Sequence, residues 1–426
     1  MSKVSCSLSV GWMAIVLAFG AQAQGTTYAV RLSDNSGAYE ASLRGDQEKL
    51  LEISQTSAGG LEVIAKALYL RSLYRLNESS KTVSECGALS QISRSTANWS
   101  CAMILAGNKL LAGDTAGWAR LMDATKKAAV PLLAKQMNAA PESLRVGEFE
   151  TVADFSQYFD VPPVAVKRDA DEFSIPIEWR ISSDVSTDVQ PFITATINRH
   201  SLQMALDTGT SGVIIKRSDA DALNISDIHH GWMTTSEGGP TDLGVIKSLS
   251  VGKVTVSNMP ATITDAPVSV LGIRGLQFLR AVRLHGDTLV SHATGFGNLC
   301  QTPLDMTSWV EGSNSLLLVP GVVGGKDFHF FLDTGNAWGI VRHTYGEPSG
   351  ADNAKSITLT VGGVIHAVKM SEATDSMQIG SVPAQLQAYR IVYSGQHKPF
   401  RYDIGGSYVH QHDLIIDFSN GLMCVM

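Results

Sequence analysis

The sequence has little excess charge and few cysteines, and each shortage excludes a class of protein. Over 426 residues the formal net charge is −7, and only 17% of the residues are charged. Electrostatic binding of nucleic acid needs basic patches, and nothing in this chain resembles one. The five cysteines show no spacing that is typical of a zinc site. The remaining composition, 44% apolar, is that of an ordinary soluble protein long enough for two or three domains.

Near the N-terminus, where an anchor would lie, the apolar run is short. It extends from Gly11 to Gly20, too few residues to cross a bilayer. Lys3 precedes the run and the small-x-small triplet Ala21-Gln22-Ala23 follows it, an order typical of a cleavable secretory signal. We therefore expect residues 1–23 to be a signal peptide and the protein to be periplasmic or secreted. An uncleaved N-terminal anchor is the alternative.

The cysteines that remain after this cleavage form an even set. Loss of Cys6 leaves four, and four cysteines allow three pairings. In an oxidising compartment, closeness in the chain favours one bridge in a helical segment and one in the C-terminal half. The expected disulfides are Cys86–Cys101 and Cys300–Cys424. Buried free thiols are the alternative, in particular for the second pair.

What the chain does contain is the tripeptide Asp-Thr-Gly, twice, in the same local pattern. Apolar residues lead into Asp207-Thr208-Gly209 and into Asp333-Thr334-Gly335, and a β-branched run follows each copy. This pattern predicts a strand, a tight turn that carries the acid, and a second strand. The strand before each acid is predicted to belong to a hairpin, over residues 192–206 in the first copy and 316–332 in the second. Glycine lets the turn bend sharply. One copy is a weak signal, whereas two copies in the same context are a strong one.

Two carboxylates have a specific chemical use when they lie close together. At a separation of about 3 Å both cannot ionise, so they share one proton. The ionised partner acts as general base on a water held between them, and the protonated partner donates to the carbonyl oxygen under attack. This chemistry needs no metal, no cofactor, no thiol and no serine. The sequence offers no competing constellation of those kinds.

On these residues the sequence resembles the aspartic proteases, in particular the retropepsin-like and pepsin-like families, over roughly residues 185–426. The family places a second signature, two apolar residues and then glycine, after each acid. Here Val270-Leu271-Gly272 follows Asp207 by 65 residues, and Asp403-Ile404-Gly405 follows Asp333 by 72. The resemblance implies that Asp207 and Asp333 are catalytic. It implies supporting roles for further residues, namely Thr208, Gly209, Thr210, Thr334, Gly335 and Asn336 in the catalytic loops and Gly272 and Gly405 beneath them.

Two features of the resemblance set further expectations. The family usually has Ser or Thr after Asp-Thr-Gly, and its hydroxyl is hydrogen-bonded to the acid. Thr210 fits this pattern, whereas Asn336 does not. Asn336 is still expected to donate to the acid, with a shift in the pH range of activity.

A flap, a hairpin that closes over substrate, is expected in the first lobe at Trp232 and Gly238-Gly239. The Gly362-Gly363 turn of the second lobe is better suited to a strand connection, so we expect one flap.

Residues 37–140 differ in character, because Ala, Leu, Lys and Glu dominate and apolar residues recur at helical spacing. Leu43-Arg44-Gly45-Asp46 and Leu111-Ala112-Gly113-Asp114 are 68 residues apart, twice the period of a tetratricopeptide repeat. We expect tetratricopeptide-like helical hairpins, with a plain bundle as the alternative. Such a layer offers a face to a protein partner, or serves as a passive cap.

Together these observations predict a multidomain α plus all-β fold: a helical-hairpin N-terminal domain and then a bilobal, pseudo-twofold acid-protease β-barrel domain. Residues 141–185 are read as a solvated linker, or alternatively as an inhibitory pro-segment whose Lys167 or Arg168 covers the acids. The expected segments are a signal peptide (1–23), a helical domain (37–140), a linker (141–185), a first lobe (186–299), an interlobe connector (300–314) and a second lobe (315–426).

The expected function is that of an exported aspartic endopeptidase. Its partners would be a peptide or protein substrate and, on the helical region, a protein partner; nucleic acid and a membrane span are not expected. Because both lobes lie in one chain, a monomer should suffice. The alternative is a non-catalytic protein that binds peptide or a partner through helical repeats and a degenerate protease fold.

Overall fold

The structure is a computed structural model that describes a helical part followed by an almost entirely β part. The described residues are 28–30, 37–58, 60–86, 96–152, 154–181, 188–225, 229–232, 241–345, 355–361, 364–380, 382–393, 400 and 402–426. The predicted signal peptide, residues 1–23, lies outside them.

The N-terminal part consists of helices, each packed against the next. They are α1 (Gly37–Arg44), α2 (Gln47–Thr56), α3 (Leu61–Ser72), α4 (Leu76–Ser84), α5 (Thr96–Leu111) and α6 (Thr115–Met137). These bounds agree with the helical domain predicted for residues 37–140.

The repeated Gly-Asp pair has a local explanation in helix capping. Gly45 and Gly113 have φ values of +72° and +87°, a conformation that glycine adopts without strain. The next residues, Asp46 and Asp114, accept hydrogen bonds from backbone N–H groups of α2 and α6 and so cap those helices. The α3–α4 joint at Tyr74 falls 29 residues after Gly45 and 39 before Gly113, so the structure does not reproduce a regular 34-residue period. The tetratricopeptide likeness stays a prediction.

Residues 141–185 are not a solvated linker, and that part of the prediction is wrong. The segment contributes β2 (Leu144–Val146), which pairs with β1 (Tyr28–Val30), and three further strands. These are β3 (Ala165–Arg168), β4 (Glu172–Pro176) and β5 (Glu178–Ile181). The charged residues 167–172 made the strands around them difficult to predict. β3 and β4 lie at sheet edges, and charged side chains that point outward are tolerated there.

The charged run does not reach the two acids either. Arg168 donates to the Leu279 carbonyl oxygen at 3.2 Å and to the Asp171 carbonyl oxygen at 2.9 Å. Lys167 pairs with Asp169 at 2.9 Å. These contacts give no support to the pro-segment reading, in which one of the two basic side chains would cover the catalytic carboxylates.

The first lobe begins with the predicted hairpin. Its elements are β6 (Val189–Ile197), β7 (His200–Leu206), β8 (Val213–Lys216), α7 (Arg217–Ala220), β9 (His229–Trp232), β10 (Thr241–Val251), β11 (Val254–Thr264), β12 (Val270–Leu271), α8 (Ile273–Leu276), β13 (Ala281–His285) and β14 (Thr288–His292). The hairpin β6–β7 delivers Asp207, as predicted from its alternating apolar residues.

The second lobe repeats this order after a short strand in the predicted connector. Its elements are β15 (Asp305–Thr307), β16 (Leu316–Val323), β17 (Lys326–Leu332), β18 (Ile340–Tyr345), β19 (Lys355–Val361), β20 (Val364–Ile379), β21 (Val382–Tyr393), β22 (Tyr402–Ile404), α9 (Gly406–Gln411), β23 (Leu414–Asp417) and β24 (Leu422–Val425). The hairpin β16–β17 delivers Asp333.

Each lobe has its own sheet, and a third sheet joins them. The lobe sheets run β3-β11-β8-β12-β7-β6-β10-β9 and β15-β16-β17-β22-β18-β21-β20-β19. Within each sheet, two strands that are not neighbours in this order also pair, β10 with β11 and β16 with β20. The description of the lobes as β-barrels stays a prediction. The third sheet, β24-β23-β13-β14-β4, takes strands from both halves of the chain.

The two lobes contain the same strand crossing. In the first, β12 lies between β7, which it meets in parallel, and β8, which it meets antiparallel. In the second, β22 lies between β17 and β18 with the same two orientations. The hairpin registers Phe192↔Ala205 and Leu318↔Phe331 differ by 126 residues, which is also the separation of the two acids.

Packing and disulfides tie these parts together. One apolar core extends through both lobes, and a second fills the helical region and includes Val245 and Val310 from the β part. The two expected cysteine pairs lie at disulfide distance, with Cα–Cα separations of 6.5 Å for Cys86–Cys101 and 5.7 Å for Cys300–Cys424.

Candidate active site

The two Asp-Thr-Gly loops lie against each other. Asp207 directly follows β7 and Asp333 directly follows β17. A methyl group added to Gly209 would collide with the carboxylate of Asp333, and one added to Gly335 would collide with the carboxylate of Asp207. Each glycine therefore packs on the acid of the other lobe, so the strands of two separate sheets bring their carboxylates to one place.

The two threonines of the motif lock the loops together. The Thr208 hydroxyl donates to the Leu332 carbonyl oxygen at 2.8 Å and accepts from the Thr334 N–H at 3.1 Å. The Thr334 hydroxyl donates to the Leu206 carbonyl oxygen at 2.7 Å and accepts from the Thr208 N–H at 3.0 Å. Both threonines are buried. The four bonds are reciprocal and hold the two loops together.

The acids are held by different donors. Asp207 accepts a hydrogen bond from the Gly209 N–H at 2.7 Å and one from the Thr210 hydroxyl at 2.8 Å. Asp333 accepts one from the Asn336 N–H at 3.1 Å. The side-chain oxygen of Asn336 accepts from the Trp338 N–H at 3.1 Å. The donor that Asn336 supplies to the acid is therefore its backbone, and its side chain caps the following turn.

The glycines beneath the loops occupy positions where a side chain would not fit. A methyl group on Gly272 would strike the carbonyl oxygens of Thr210 and Gly212, and one on Gly405 would strike those of Trp338 and Asn336. The strands that end at these glycines also bind the backbone of the acids. The Asp207 N–H donates to the Leu271 carbonyl oxygen at 3.1 Å, and the Asp333 N–H donates to the Ile404 carbonyl oxygen at 2.8 Å. The predicted signatures thus lie directly under both loops.

Further contacts reach each loop from the opposite lobe, and no motif in the sequence predicted them. The amide of Gln190, on β6, donates to the Gly335 carbonyl oxygen. The Ser211 hydroxyl donates to the Ser315 carbonyl oxygen at 3.1 Å. The separation between Gln190 and Ser315 in the chain differs by one residue from the 126-residue offset between the lobes. That offset was the available signal for finding them.

The predicted flap is described only in part. Trp232 ends β9 and pairs with Thr241 of β10, while Gly238 and Gly239 lie outside the described residues. In the second lobe β19 and β20 pair from Val361↔Val364 onward, around Gly362-Gly363, which also lie outside. Both lobes therefore have a hairpin at this point of the topology, and the flap role stays a prediction.

The second lobe also contains a buried ionisable pair that the sequence did not predict. His343 Nε2 lies 2.5 Å from Asp403 Oδ2, and both residues are 2% exposed. Asp403 pairs with Phe331, two residues before the acid. At the matching positions the first lobe has Val270 and Lys216. An aspartate where the signature calls for an apolar residue was the signal for this pair.

Within the described residues, no group of three or more His, Cys, Asp or Glu side chains is placed to hold a metal ion. Over the same part of the chain, no helix is both long and apolar enough to span a membrane.

One comparison with known proteins falls within the first lobe. Residues 193–278, which include Asp207 and Gly272, match a family model described as aspartyl protease. This match supports an aspartic protease fold. A retropepsin-like aspartic protease from Rickettsia conorii is 21% identical over 30% of this chain and 90% of its own, with a TM-score of 0.23. The structure titled edgp is 11% identical over 60% of this chain and 95% of its own, with a TM-score of 0.38. No curated protein matches the chain.

Proposed function

We propose that the protein is an aspartic endopeptidase that hydrolyses peptide bonds with a water molecule held between Asp207 and Asp333. The observation that carries this proposal is the interleaving of the two loops, in which Gly209 packs on one acid and Gly335 on the other. Two carboxylates brought together in this way share a proton. The match of residues 193–278 to the aspartyl protease family supports the same function.

The hydrogen bonds suggest a role for each acid. The Gly209 N–H and the Thr210 hydroxyl both donate to Asp207, whose side-chain oxygens accept both bonds as those of a carboxylate do. We propose Asp207 as the base and Asp333 as the acid. Asp207 takes a proton from water as the water oxygen attacks the peptide carbonyl carbon, and Asp333 donates its proton to the carbonyl oxygen. As the C–N bond of the tetrahedral species breaks, Asp207 donates the proton it took from water to the leaving nitrogen, and Asp333 takes its proton back from a hydroxyl of that species.

The proposal places no metal or cofactor in the reaction, and its substrate is a peptide or an unfolded protein segment. Thr208, Thr334 and the glycines under the loops are positioning residues, because they hold the acids at a fixed separation.

We also propose export to the periplasm or the cell exterior, which the two cysteine pairs at disulfide distance support. N-terminal sequencing of the mature protein tests this point: a start at Gln24 is expected, and a retained 1–23 segment contradicts it.

The experiment is a digestion of a peptide library across the pH range by wild type, Asp207→Asn and Asp333→Asn. Each substitution removes one of two groups that act in the same step, so each should lower kcat/KM by at least about 10³-fold. Asp327→Asn is the matched control, because Asp327 is an exposed residue of β17, the strand that delivers Asp333. It should retain wild-type turnover.

Full turnover in either acid variant, with each protein shown to be folded by thermal melting, would defeat the proposal. A second candidate function, peptide or partner binding without cleavage, is favoured by one observation: the Asn336 side chain caps Trp338, where the family has a hydroxyl on the acid. Its signature would be tight peptide binding that both acid variants retain, with no cleavage at any pH.

A further inference from the structure

The connector between the lobes is buried beneath the helical region. Connections between lobes usually run over the surface, yet Val310 belongs to the apolar core of the helices. Six polar residues between positions 305 and 315 are also at most 4% exposed: Asp305, Thr307, Ser308, Glu311, Ser313 and Ser315. The helical region therefore covers this segment as part of its own interior.

Arg71, on α3, makes the most extensive of these contacts. Its Nη1 donates to the carbonyl oxygens of Trp309 at 3.2 Å and Val310 at 2.9 Å. Its Nε donates to the side-chain oxygen of Asn108 at 2.8 Å, and its Nη2 donates to the Ile104 carbonyl oxygen. The guanidinium group thus joins α5 to the connector through several donors at once.

Burying this charge is costly unless it is fully paired. Arg71 is 2% exposed, and burial lowers the pKa of its guanidinium to about 10, so it is still charged at neutral pH. Apolar residues of similar volume often stabilise an interior as well as or better than a buried charge does. Packing alone therefore gives no reason for an arginine here, whereas fixing the path of a backbone through its carbonyl groups does.

Other residues of the helical region hold the same backbone. Gln47 donates to the Leu304 carbonyl oxygen at 2.9 Å, and the Trp118 indole N–H donates to the Glu311 carbonyl oxygen at 3.0 Å. Gly107 of α5 lies so close to the connector that an added Cβ would be 2.7 Å from the Gly312 nitrogen. The donors reach main-chain acceptors, so they set the position of the connector itself.

The connector in turn reaches both catalytic loops. The carbonyl oxygen of Ser315, the residue that directly follows the connector, accepts from the hydroxyl of Ser211, four residues after Asp207. Within the connector, β15 pairs with β16, and β16 pairs with β17, the strand that ends at Asp333. A shift of the connector would therefore move the two loops relative to each other.

We propose that the helical region is a fixed brace of the catalytic unit and that Arg71 is a positioning residue, which sets the relative placement of the two Asp-Thr-Gly loops through the connector. This inference rests on the proposed function and adds to it. It gives the helical region a role other than a passive cap or a platform for a partner, and the region could not be removed without loss of activity.

The test compares Arg71→Met with Leu68→Ala in the full chain. Leu68 lies on the same helix and is 1% exposed, so its truncation should destabilise the helical region without touching the connector bonds. Both variants are assayed at a temperature where melting curves show them folded. Arg71→Met should lower kcat by about 10- to 100-fold, because small misplacements of reacting groups are costly, with KM nearly unchanged. Leu68→Ala should keep the wild-type kcat, and Arg71→Lys should recover part of the loss.

A second readout does not depend on catalysis. The Thr208 and Thr334 amides donate across the loops, so their hydrogen exchange should accelerate at least about tenfold in Arg71→Met and not in Leu68→Ala. If Arg71→Met does not fold, Trp118→Phe and Gln47→Met replace it, which remove one and two hydrogen bonds to the connector, respectively. Wild-type kcat and wild-type amide protection in the folded variants overturn the inference. If wild type itself cleaves nothing, the proposed function fails, and the exchange measurement still decides on the brace.

Discussion

The two lobes share one strand arrangement but support their acids with different chemistry. Both have a strand inserted between the strands that flank the catalytic turn, and the threonine bonds between the loops are reciprocal. Beside that common frame the first lobe has Thr210 and Val270, and the second has Asn336 and Asp403. The comparison shows that backbone geometry and the threonine pair suffice to bring the acids together. The surrounding side chains are then free to differ.

The way in which the chain enters the second lobe involves the helical region. The hairpin of the second lobe follows a connector whose Glu311 carbonyl oxygen accepts a hydrogen bond from Trp118. In the corresponding entry to the first lobe, residues 182–187 lie outside the described residues. The second lobe therefore depends on the helices in a manner that its strand topology alone does not reveal.

The largest expected effect comes from breaking the buried pair of the second lobe. Asp403→Asn leaves His343 buried without its carboxylate, and removal of one partner from a buried pair typically costs about 3–5 kcal/mol. We expect the free energy of unfolding, measured with urea, to fall by that amount. Val270→Ala, at the matching place in the first lobe, should cost less, about 1–2 kcal/mol.

A double variant makes this comparison sharper. His343→Leu combined with Asp403→Val gives the second lobe apolar residues at both positions, and an apolar replacement of a whole buried pair is often neutral or better. Most of the stability lost in Asp403→Asn should return. An Asp403→Asn protein as stable as wild type would show that the two lobes do not differ here in any way that matters to folding.

A smaller effect is expected at the connector. Burial raises the pKa of the Glu311 carboxyl to about 7, with Glu148 raising it further and Ser313 and Arg71 opposing. The folded state thus favours the protonated form, so this contribution is fully present below pH 4.5 and is lost as the pH rises through 7. Glu311→Gln stays neutral and should be more stable than wild type by about 3 kcal/mol above pH 7.

Urea unfolding at several pH values measures this difference. Glu142→Gln is the control, because Glu142 is exposed and its substitution should leave the pH dependence of wild type intact. Equal stability of wild type and Glu311→Gln at pH 8 would mean that the folded protein accommodates the charge without cost.

The smallest expected effect distinguishes the residues after the two motifs. In Asn336→Thr the second acid gains a hydroxyl donor like that of Thr210, which favours the ionised carboxylate. The alkaline limb of the pH–activity profile, which reports loss of the proton of the acid, should then move to lower pH, by less than about one unit. Thr210→Asn should move the acidic limb, which reports the base, to higher pH, and Thr210→Ser should not move it. Profiles that coincide for all four proteins would contradict a role of this position in the pH range.

What the sequence predicted well is local. The hairpins that deliver Asp207 and Asp333 follow from alternating apolar residues, and Gly272 and Gly405 follow from a short signature, because strand, turn and glycine requirements are written within a few neighbouring residues. The helix joints at Gly45 and Gly113 are likewise capping chemistry. Their even spacing suggested a repeat that the middle joint does not share.

What the sequence did not predict depends on contacts between distant residues. Arg71 and Val310 are 239 residues apart, and His343 and Asp403 are 60 apart, so no local pattern connects either pair. The strand at residues 165–168 was missed for another reason. Its charged side chains lie on an edge strand, and composition alone cannot distinguish such a strand from a solvated segment.

The covalent joining of the lobes has a consequence for how this site can change over evolutionary time. In a symmetric homodimer every substitution appears on both sides of the axis at once, so a residue that suits one half is imposed on the other. Here each half mutates alone. An aspartate at position 403 or an asparagine at 336 can therefore arise in one copy while the other keeps its ancestral surroundings, and the two acids are free to specialise.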